Sequence, residues 1–262
     1  MFTSPAVAVT REVPASYSEC LREDASSAID VELARQQHEA YVAALREAGV
    51  EVHVIPSDDA HPDSLFAEDV AVVLERRALI TLPGAESRRS ETAEMDTVLS
   101  TLLPVEHMSA PATLEGGDVL RVMDRLAVGR SHRSNDAGIG ILRQIAGEEG
   151  LKVDVLPVQE GLHLKSSMSL VDEGTVICSR GIDAQHFIDL GMAVLRAPEP
   201  EGANVLALGK LVLVSAAAPR TAELLSGKGF DVKTLDVSEI HKGDGALTCL
   251  SIRIPPPGDW CA

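Results

Sequence analysis

Four polar segments of this chain lie in apolar or glycine-rich surroundings and carry side chains able to do chemistry. They are PDSLFAED (62–69), LEGGDVL (114–120), GLHLKS (161–166) and KGDGALTCLS (242–251). Together they supply several carboxylates, an imidazole and a thiol. A thiol can attack an electrophilic carbon while an imidazole moves protons, and carboxylates can clamp a planar guanidinium through paired hydrogen bonds. The set predicts a cysteine hydrolase of arginine-like guanidines, with Cys249 as the nucleophile and His163 as its acid–base partner.

Each segment also has a purely structural explanation when it is taken alone. An acidic residue before a strand is commonly a turn residue or a cap, paired glycines commonly form a turn, and a single histidine is commonly structural. Free cysteine buries readily, so Cys249 between Thr248 and Leu250 is by itself typical of core packing. The functional interpretation therefore depends on the four segments meeting in space.

The charge of the predicted substrate bears on the state of the nucleophile. A cation near Cys249 favours the thiolate, whereas neighbouring Asp and Glu side chains oppose it. We therefore predict that Cys249 is largely a thiol in the free enzyme and ionises when the substrate arrives.

The elements that must position these segments form a repeated unit of strand, strand, helix and strand, with a period of roughly 40–50 residues. Strand pairs are predicted at 70–74 with 78–82, 118–122 with 125–129, 167–171 with 175–179, and 204–208 with 211–215. Helices are predicted at 29–48, 89–103, 135–149, 183–190 and 220–227, and further strands at 6–10, 52–55, 153–156, 193–195 and 231–235. Each polar segment lies where a unit begins or ends, so all four can converge on one central cleft.

The chain has no linker rich in Gly, Ser or Pro, so we expect a single closed α/β domain over residues 1–262, built from five modules around a centre. An ordinary doubly wound sheet is the competing architecture. Against it, the sequence contains neither GxGxxG nor GxxxxGK(S/T).

The composition of the chain limits the classes of molecule that we expect it to bind. A net charge of −17 and an aromatic content of only 3% disfavour nucleic acids, and the charge also disfavours anionic membranes. A small cationic substrate suits an acidic protein, although acidic surfaces also serve simply to keep proteins dispersed. The N-terminal stretch has no basic region followed by a long apolar run, and no apolar run approaches the ~20 residues that span a bilayer. We expect a cytoplasmic protein that is a monomer or a homodimer.

The four cysteines are widely scattered and form no CxxC pair. This spacing argues against a zinc knuckle or a redox dithiol and favours reduced thiols. We interpret Cys20, Cys178 and Cys261 as structural or incidental. Trp260, next to Cys261, either packs the C-terminus down or contacts another subunit.

Six motifs occur in the order seen in the dimethylarginine dimethylaminohydrolases, and the chain therefore resembles that family. The motifs are PDSLFAEDVAVV, PGAESRR, TLEGGDVL, VGRSHRSN, GLHLKS and DGALTCLS, and the early QHEAY stretch is similar too. They run from about residue 36 to residue 251. The resemblance implies a guanidine-modifying, pentein-type fold, which is a five-module ββαβ propeller with pseudo-fivefold symmetry. It also implies cofactor-free hydrolysis of asymmetric dimethylarginine or monomethylarginine to citrulline and a methylated amine.

The same resemblance implies roles for individual residues. Cys249 would attack the guanidinium carbon and His163 would protonate the departing amine, leaving a covalent thiouronium that a water activated by His163 then hydrolyses. Glu115 and Asp69 would hold the guanidinium or orient the catalytic groups. The remaining substrate-binding residues would be Asp63 and Glu68 in the pocket wall, Arg88 and Arg133 at the α-carboxylate, and Asp244 and Leu21, the latter in a lid with Cys20, at the α-amino group.

Three alternatives stay open at this point. An arginine deiminase or another guanidine-modifying enzyme of the same superfamily would act on unmethylated arginine, although those chains are generally longer. A metalloenzyme could use His53, His61, His107 and His163, but no HExxH or similar spacing supports it. A non-catalytic amino-acid-binding protein of the same fold would not require Cys249, His163 and Glu115 together.

Overall fold

Five separate three-stranded sheets make up the β-structure of residues 5–256, which are the residues that this computed structural model describes. Trp260, predicted to pack the C-terminus down or to contact another subunit, and Cys261, interpreted as structural or incidental, lie outside the described residues. The strands are β1 (Val7–Arg11), β2 (Glu51–Ile55), β3 (Ala71–Val73), β4 (Ala78–Ile80), β5 (Val105–His107), β6 (Val119–Val122), β7 (Arg125–Arg130), β8 (Lys152–Pro157), β9 (Met168–Asp172), β10 (Thr175–Cys178), β11 (Ala193–Arg196), β12 (Leu206–Leu208), β13 (Leu211–Ser215), β14 (Asp231–Leu235) and β15 (Ile252–Ile254).

Each sheet repeats one connection pattern. An inner strand pairs antiparallel with the next strand, and a helical connection then leads to a third strand that pairs parallel with the second. The helices are α1 (Val31–Glu47), α2 (Thr92–Leu102), α3 (Asp136–Glu148), α4 (Leu164–Ser167), α5 (Gln185–Asp189), α6 (Pro219–Gly227) and α7 (Ser238–His241). Within the described residues, none of these helices is long and apolar enough to cross a membrane.

One sheet combines both ends of the described chain. β15 pairs antiparallel with β1, so that Val9 lies opposite Ile252, and β1 pairs parallel with β2 across α1. This sheet therefore has the same strand, strand, helix, strand pattern as the other four, but its inner strand comes from the end of the chain and its other elements from the beginning.

Local sequence signals explain where the helices begin and what they bury. The Asp30 side chain accepts a hydrogen bond from the backbone of Leu33 at the start of α1, and Asn135 does the same for Gly138 in α3. Gly49, with φ of 84°, follows the end of α1 in the left-handed conformation that glycine adopts easily. Three of the five buried clusters are composed almost entirely of Val, Leu, Ile and Ala, whereas the cluster under α1 also contains Tyr17, Tyr41 and Phe66.

The structure confirms the predicted strand pairs and corrects some of the predicted elements. No described strand bridges two sheets, so a single doubly wound sheet is wrong. The helix predicted at 89–103 begins at Thr92, after a 3-10 turn over Glu86–Glu91. The sequence did not indicate β5, β15, α4 or α7. These elements have three or four residues, and unlike the equally short β3 and β4 they do not belong to a hairpin with a turn signal between two apolar runs.

The inner strands of all five sheets line one central cavity of about 300 Å³. A short helical turn precedes each inner strand, with at most two residues between them. These turns are Ala67–Val70, Gly116–Asp118, Leu164–Ser167, Pro200–Ala203 and Leu247–Leu250. Because the inner strands meet at the centre, side chains from sequence-distant turns are brought together at one end of it.

Gly116 and Gly140 offer a matched test of this packing. A Cβ at Gly116 would overlap the carbonyl oxygen of Glu68, whereas a Cβ at Gly140, on the exposed side of α3, would meet nothing. We predict that Gly116→Ala lowers the free energy of unfolding by roughly 1–3 kcal/mol. Gly140→Ala should raise it by about 0.5–1 kcal/mol, because alanine restricts the unfolded chain. Urea unfolding of both variants measures this, and equal effects would contradict it.

Candidate active site

His163 is held between carboxylates at the first residue before α4. Its Nε2 lies 2.6 Å from Oε2 of Glu115, and its Nδ1 lies 4.0 Å from Oδ1 of Asp69. The backbone N–H of His163 donates to Oγ of Ser166, which fixes the start of the turn. Burial alone would lower the pKa of His163, but the charges of Asp69, Glu115 and Asp118 and the hydrogen bond with Glu115 raise it to about 9. The imidazole is therefore charged at neutral pH.

Glu115 is fully buried and makes contacts on both of its oxygens. While Oε2 holds His163, Oε1 accepts a hydrogen bond from the backbone N–H of Gly84 at 3.0 Å and lies 3.4 Å from Nη1 of Arg133. This arrangement fixes the orientation of the imidazole ring, and a carboxylate beside an imidazole also stabilises its charged form.

Asp69 faces the same imidazole from the turn before β3. Its Oδ2 accepts a hydrogen bond from Nη1 of Arg88 at 2.7 Å, and its Oδ1 accepts from the backbone N–H of Gly117 at 3.1 Å. Burial opposes ionisation of Asp69, but His163 and Arg88 hold its pKa below the ordinary value. A Cβ at Gly117 would press on the His163 ring and on Asp69, so this close approach requires glycine.

Cys249 lies in the turn before β15, partly exposed at the same centre. The side chain of Arg253 donates to the carbonyl of Thr248, and the side-chain oxygen of Asn204 accepts from the Thr248 backbone, so the turn is held on both sides. Desolvation by the surrounding protein, then the charges of Glu68 and Asp69, raise the pKa of the thiol to about 12.

A small cavity of about 20 Å³ lies between these groups, with room for about one water molecule. It is lined by Leu21, Asp63, Phe66, Asp69, Arg88, Arg133, Leu162, His163, Gly243, Asp244, Gly245 and Cys249. Eight of the ten site residues predicted from the sequence therefore line one cavity. An amino acid that carries a guanidinium is much larger than this space, so its entry requires the cover to move.

The cover is the segment that follows Cys20. The backbone N–H of Leu21 donates to Asp63, and the backbone N–H of Glu23 donates to Oδ2 of Asp244 at 2.6 Å. Asp244 itself has φ of 58°, an uncommon conformation for a residue with a side chain. Two carboxylates at the cavity thus bind main-chain N–H groups of the cover.

Two predicted residues do not line this cavity. Glu115 stands directly behind His163. Glu68 turns toward the central cavity instead, where its Oε1 lies 2.6 Å from Nζ of Lys165 and also binds Nη2 of Arg253. Glu68 therefore acts on Cys249 through its charge rather than through a wall contact.

Arg88 reaches the cavity, but its guanidinium is already engaged. Each of its nitrogens has a partner, among them Asp69, both oxygens of Glu91 and the carbonyls of Asp63 and Phe66. A substrate carboxylate can reach Arg88 only by sharing these donors. Among residues 5–256, the guanidinium of Arg133 makes one long contact, with Glu115, and its other nitrogens have no partner there.

Several residues of the site had no role assigned from the sequence. Phe66 and Leu162 supply apolar wall, Lys165 neutralises Glu68, and Asn204 joins the Cys249 turn to the carbonyl of Lys165. Phe66 and Lys165 stand inside the quoted motifs, so their segments were found but not their contacts. Asn204 had no signal, because it lies in a stretch interpreted as an ordinary strand.

A metal site was one of the alternatives, and among the described residues Asp69, Glu115 and His163 bring one ligand atom each within 4.8 Å of the others. Two guanidiniums, those of Arg88 and Arg133, already bind the same carboxylates and would compete with a divalent cation. Three further histidines proposed as ligands do not converge here: His53 pairs with Glu51, His61 with Asp58, and His107 with Asp96.

The fold and the site define the class of protein first: a pentein-type α/β fold with a cysteine, a histidine and carboxylates at its centre. A family model described as "N,N dimethylarginine dimethylhydrolase, eukaryotic" matches residues 7–190. The chain is 43% identical over 229 residues to the dimethylarginine dimethylaminohydrolase of Streptomyces coelicolor, covering 86% of this chain and 88% of that one. It is 34% identical over 227 residues to the enzyme of the same name from Pseudomonas aeruginosa, covering 86% and 89%.

A solved structure agrees with these relatives. It is a Cys-to-Ser mutant of the Pseudomonas aeruginosa enzyme complexed with citrulline, with a TM-score of 0.91 and 32% identity, covering 97% of this chain and 100% of that one. The chain belongs to the dimethylarginine dimethylaminohydrolase family.

The two pKa shifts predict the protonation state of the free site. Because the pKa of Cys249, about 12, exceeds that of His163, about 9, a thiol stands beside an imidazolium at neutral pH. The thiolate fraction is then small, so alkylation of Cys249 by iodoacetamide should accelerate about tenfold per pH unit between pH 7 and 9. Mass spectrometry of the Cys249 peptide measures the rate.

The ultraviolet thiolate absorbance gives an independent check, with Cys249→Ser as the blank for the other cysteines. Addition of a non-reactive cationic arginine analogue should raise the absorbance at neutral pH, because the added positive charge favours the thiolate. An alkylation rate that is already level near neutral pH without ligand would show that the thiolate is preformed.

Proposed function

We propose that this protein hydrolyses N-omega-methylated arginines, asymmetric dimethylarginine and monomethylarginine, to citrulline and dimethylamine or methylamine. The observation that carries the proposal is the convergence of Cys249, His163 and the carboxylates on one cavity in a member of this family. The bound citrulline of the Pseudomonas aeruginosa structure supports the same product class.

The charges around the cavity give the substrate one orientation. Its guanidinium lies beside Asp69, opposite Cys249 and His163, where a cation relieves the repulsion between nearby carboxylates. Its α-carboxylate meets Arg133, with Arg88 beneath. Its α-amino group donates hydrogen bonds to Asp63 and Asp244. In the free protein these two carboxylates accept instead from the backbone N–H groups of Leu21 and Glu23.

The reaction then proceeds by covalent catalysis. The bound cation lowers the pKa of Cys249, the thiol proton passes to solvent water, and the thiolate sulfur adds to the guanidinium carbon. His163 donates its proton to the methylated nitrogen as the C–N bond breaks, so a neutral amine departs and a thiouronium remains on Cys249. Neutral His163 next accepts a proton from water as the water oxygen adds to the same carbon. The C–S bond then breaks while the added hydroxyl gives its proton to the departing sulfur, so citrulline leaves with Cys249 again a thiol and His163 again protonated.

Substrate size separates this activity from that of an arginine deiminase. Phe66 and Leu162 provide apolar wall at the cavity and suit methyl groups on the guanidinium. Each methylene in such a wall contributes only about 1–3 kcal/mol of discrimination. Assays with dimethylated, monomethylated and unmethylated arginine therefore decide between the two activities.

The architecture that supports this chemistry is proposed to be one closed five-module ββαβ propeller with pseudo-fivefold symmetry and a single catalytic domain over residues 1–262. Two observations support it: inner strands of all five sheets line one cavity, and β15 joins the end of the chain to β1. Cys20, Cys178 and Cys249 are free thiols, which supports a reducing, cytoplasmic location. Whether the protein is a monomer or a homodimer stays a prediction.

Turnover of asymmetric dimethylarginine tests the proposal directly. Citrulline should form with the unaltered protein, and Cys249→Ser and His163→Ala should each reduce the rate by at least about a thousandfold. Acid quenching followed by mass spectrometry should find an adduct on Cys249, and a chelator should leave the rate unchanged. Faster turnover of unmethylated arginine would overturn the methylarginine assignment, while sustained turnover by Cys249→Ser would remove the nucleophile.

The two arginines at the cavity should separate binding from stability. Arg133→Ala should raise KM at least about tenfold with little effect on unfolding, because one charge-assisted contact to the substrate is lost. Arg88→Ala leaves Asp69 and Glu91 buried without their cation, so it should lower the free energy of unfolding by about 3–5 kcal/mol. Kinetics and urea unfolding of both variants measure the split, and a lower KM for Arg133→Ala would contradict its assignment.

A further inference from the structure

Asp118 is fully buried, outside the active-site cavity, in the segment that carries Glu115, and it binds two further segments that build the site, those of Arg133 and His163. Its Oδ2 accepts hydrogen bonds from Oγ of Ser131 at 2.5 Å and from Oγ of Ser134 at 2.6 Å. Its Oδ1 accepts from the backbone N–H of Leu164 at 3.0 Å. No step of the proposed reaction uses this carboxylate.

Each of these contacts leads to a different residue of the active site. Leu164 directly follows His163. Oγ of Ser134 accepts the backbone N–H of Glu115 at 3.1 Å. Oγ of Ser131 accepts the backbone N–H of Arg133 at 3.0 Å and that of Ser134 at 3.2 Å, which builds the turn that carries Arg133.

The donor pattern favours an ionised carboxylate: burial raises the pKa of Asp118, whereas His163 and the hydrogen bonds from Ser131, Ser134 and Leu164 oppose that shift. Both serine oxygens already accept backbone N–H groups, so each hydroxyl proton is directed at Asp118, and the N–H of Leu164 is a donor as well. Asp118 therefore needs only to accept, which a carboxylate does and a carboxamide or carboxylic acid does less well. Gly129 leaves the space for it, since a Cβ there would stand 2.6 Å from Oδ1.

We propose that Asp118 is a positioning residue that sets the mutual geometry of His163, Glu115 and Arg133 by holding the backbone beside each of them. It also supplies a negative charge behind the imidazole. The inference rests on the proposed function for its kinetic consequences, but its structural content stands on the hydrogen bonds alone.

The charges that face His163 come from several elements and must be considered together. The acidic groups are Asp69, from the turn before β3, and Glu115 and Asp118, from the turn before β6. Cys249 lies across the cavity from the imidazole. The cations are Lys165, on the same turn as His163, and Arg88 and Arg133, which bind Asp69 and Glu115. Asp118 is one of the groups that raise the pKa of His163. Its removal therefore lowers that pKa from about 9 while Asp69 and Glu115 remain.

The test begins with a readout that needs no turnover. In Asp118→Asn, the His163 ring should titrate at a lower pH than in the unaltered protein, as followed by NMR of the ring protons and assigned with His163→Ala. The matched control is Glu149→Gln, which removes another buried carboxylate that accepts backbone N–H groups, those of Glu75 and Arg76, in a different part of the fold. This control should lower the melting temperature and leave the His163 titration unchanged.

The kinetic measurements use variants of Ser134 and Ser131. They separate the support that Asp118 gives to Glu115, through Ser134, from the support that it gives to Arg133, through Ser131. Ser134→Ala should lower kcat for dimethylarginine roughly 10- to 100-fold, because Glu115 loses its support. Ser131→Ala should chiefly raise KM, because the Arg133 turn is loosened. If Asp118→Asn does not fold, the two serine variants still decide the proposal.

An unchanged His163 titration in a folded Asp118→Asn protein would overturn the proposal, and so would serine variants that lose stability without the split between kcat and KM. Failure of the proposed function gives a different result. The unaltered protein would then form no citrulline, while the NMR titration would still report whether Asp118 acts on His163.

Discussion

The burial of ionised carboxylates around one imidazole is the constraint on which the rest of this structure depends. A carboxylate taken out of water is costly unless cations or hydrogen-bond donors surround it. Here Asp69 has Arg88 and the N–H of Gly117, Glu115 has His163 and the N–H of Gly84, and Glu68 has Lys165 and Arg253. Because these partners come from different modules, satisfying the charges also fixes how the short turns before the inner strands lie against one another.

The same charges set the chemistry of the resting site. Burial is the main cause of the raised pKa of Cys249, and the carboxylates add to it, whereas for His163 the carboxylates raise the pKa against the effect of burial. The free site therefore stores the proton that the departing amine needs and keeps its nucleophile as an unreactive thiol. A bound guanidinium lowers the pKa of Cys249 again, since a cation near sulfur favours the thiolate. A neutral electrophile would not do so, and this gives the site a preference for cations at the chemical step as well as at binding.

The sequence predicts the repeated unit of strand, strand, helix and strand, and it also predicts most of the residues that line the active-site cavity. Strand pairs such as β9 and β10 carry a turn signal between two apolar runs, and the site residues stand in motifs with a known order. Contacts across long sequence separations gave no such signal. Glu68, for example, was predicted to line the active-site cavity but binds Arg253, which lies 185 positions away in the sequence. The direction of its side chain decides between these two positions, and a motif does not record that direction. The engagement of Arg88 by Glu91 and the three contacts of Asp118 are likewise set by packing, which a motif does not record.

The cavity combines a rigid interior with a cover that can move at low cost. His163, Glu115 and Asp69 are buried, and Glu115 and Asp69 are each held through both carboxylate oxygens, so displacing either carboxylate would break several hydrogen bonds at once. The cover differs, because Leu21 is 44% exposed and the segment is held at the cavity by backbone N–H groups on Asp63 and Asp244. Segments with few buried contacts open with small free energies. Since the present space admits about one water, the proposed substrate can enter only after the cover opens, and in the proposed orientation its α-amino group replaces the N–H groups that the cover withdraws. Asp63 and Asp244 then have a hydrogen-bond donor in both the covered and the substrate-bound state, so the free-energy difference between these two states stays small.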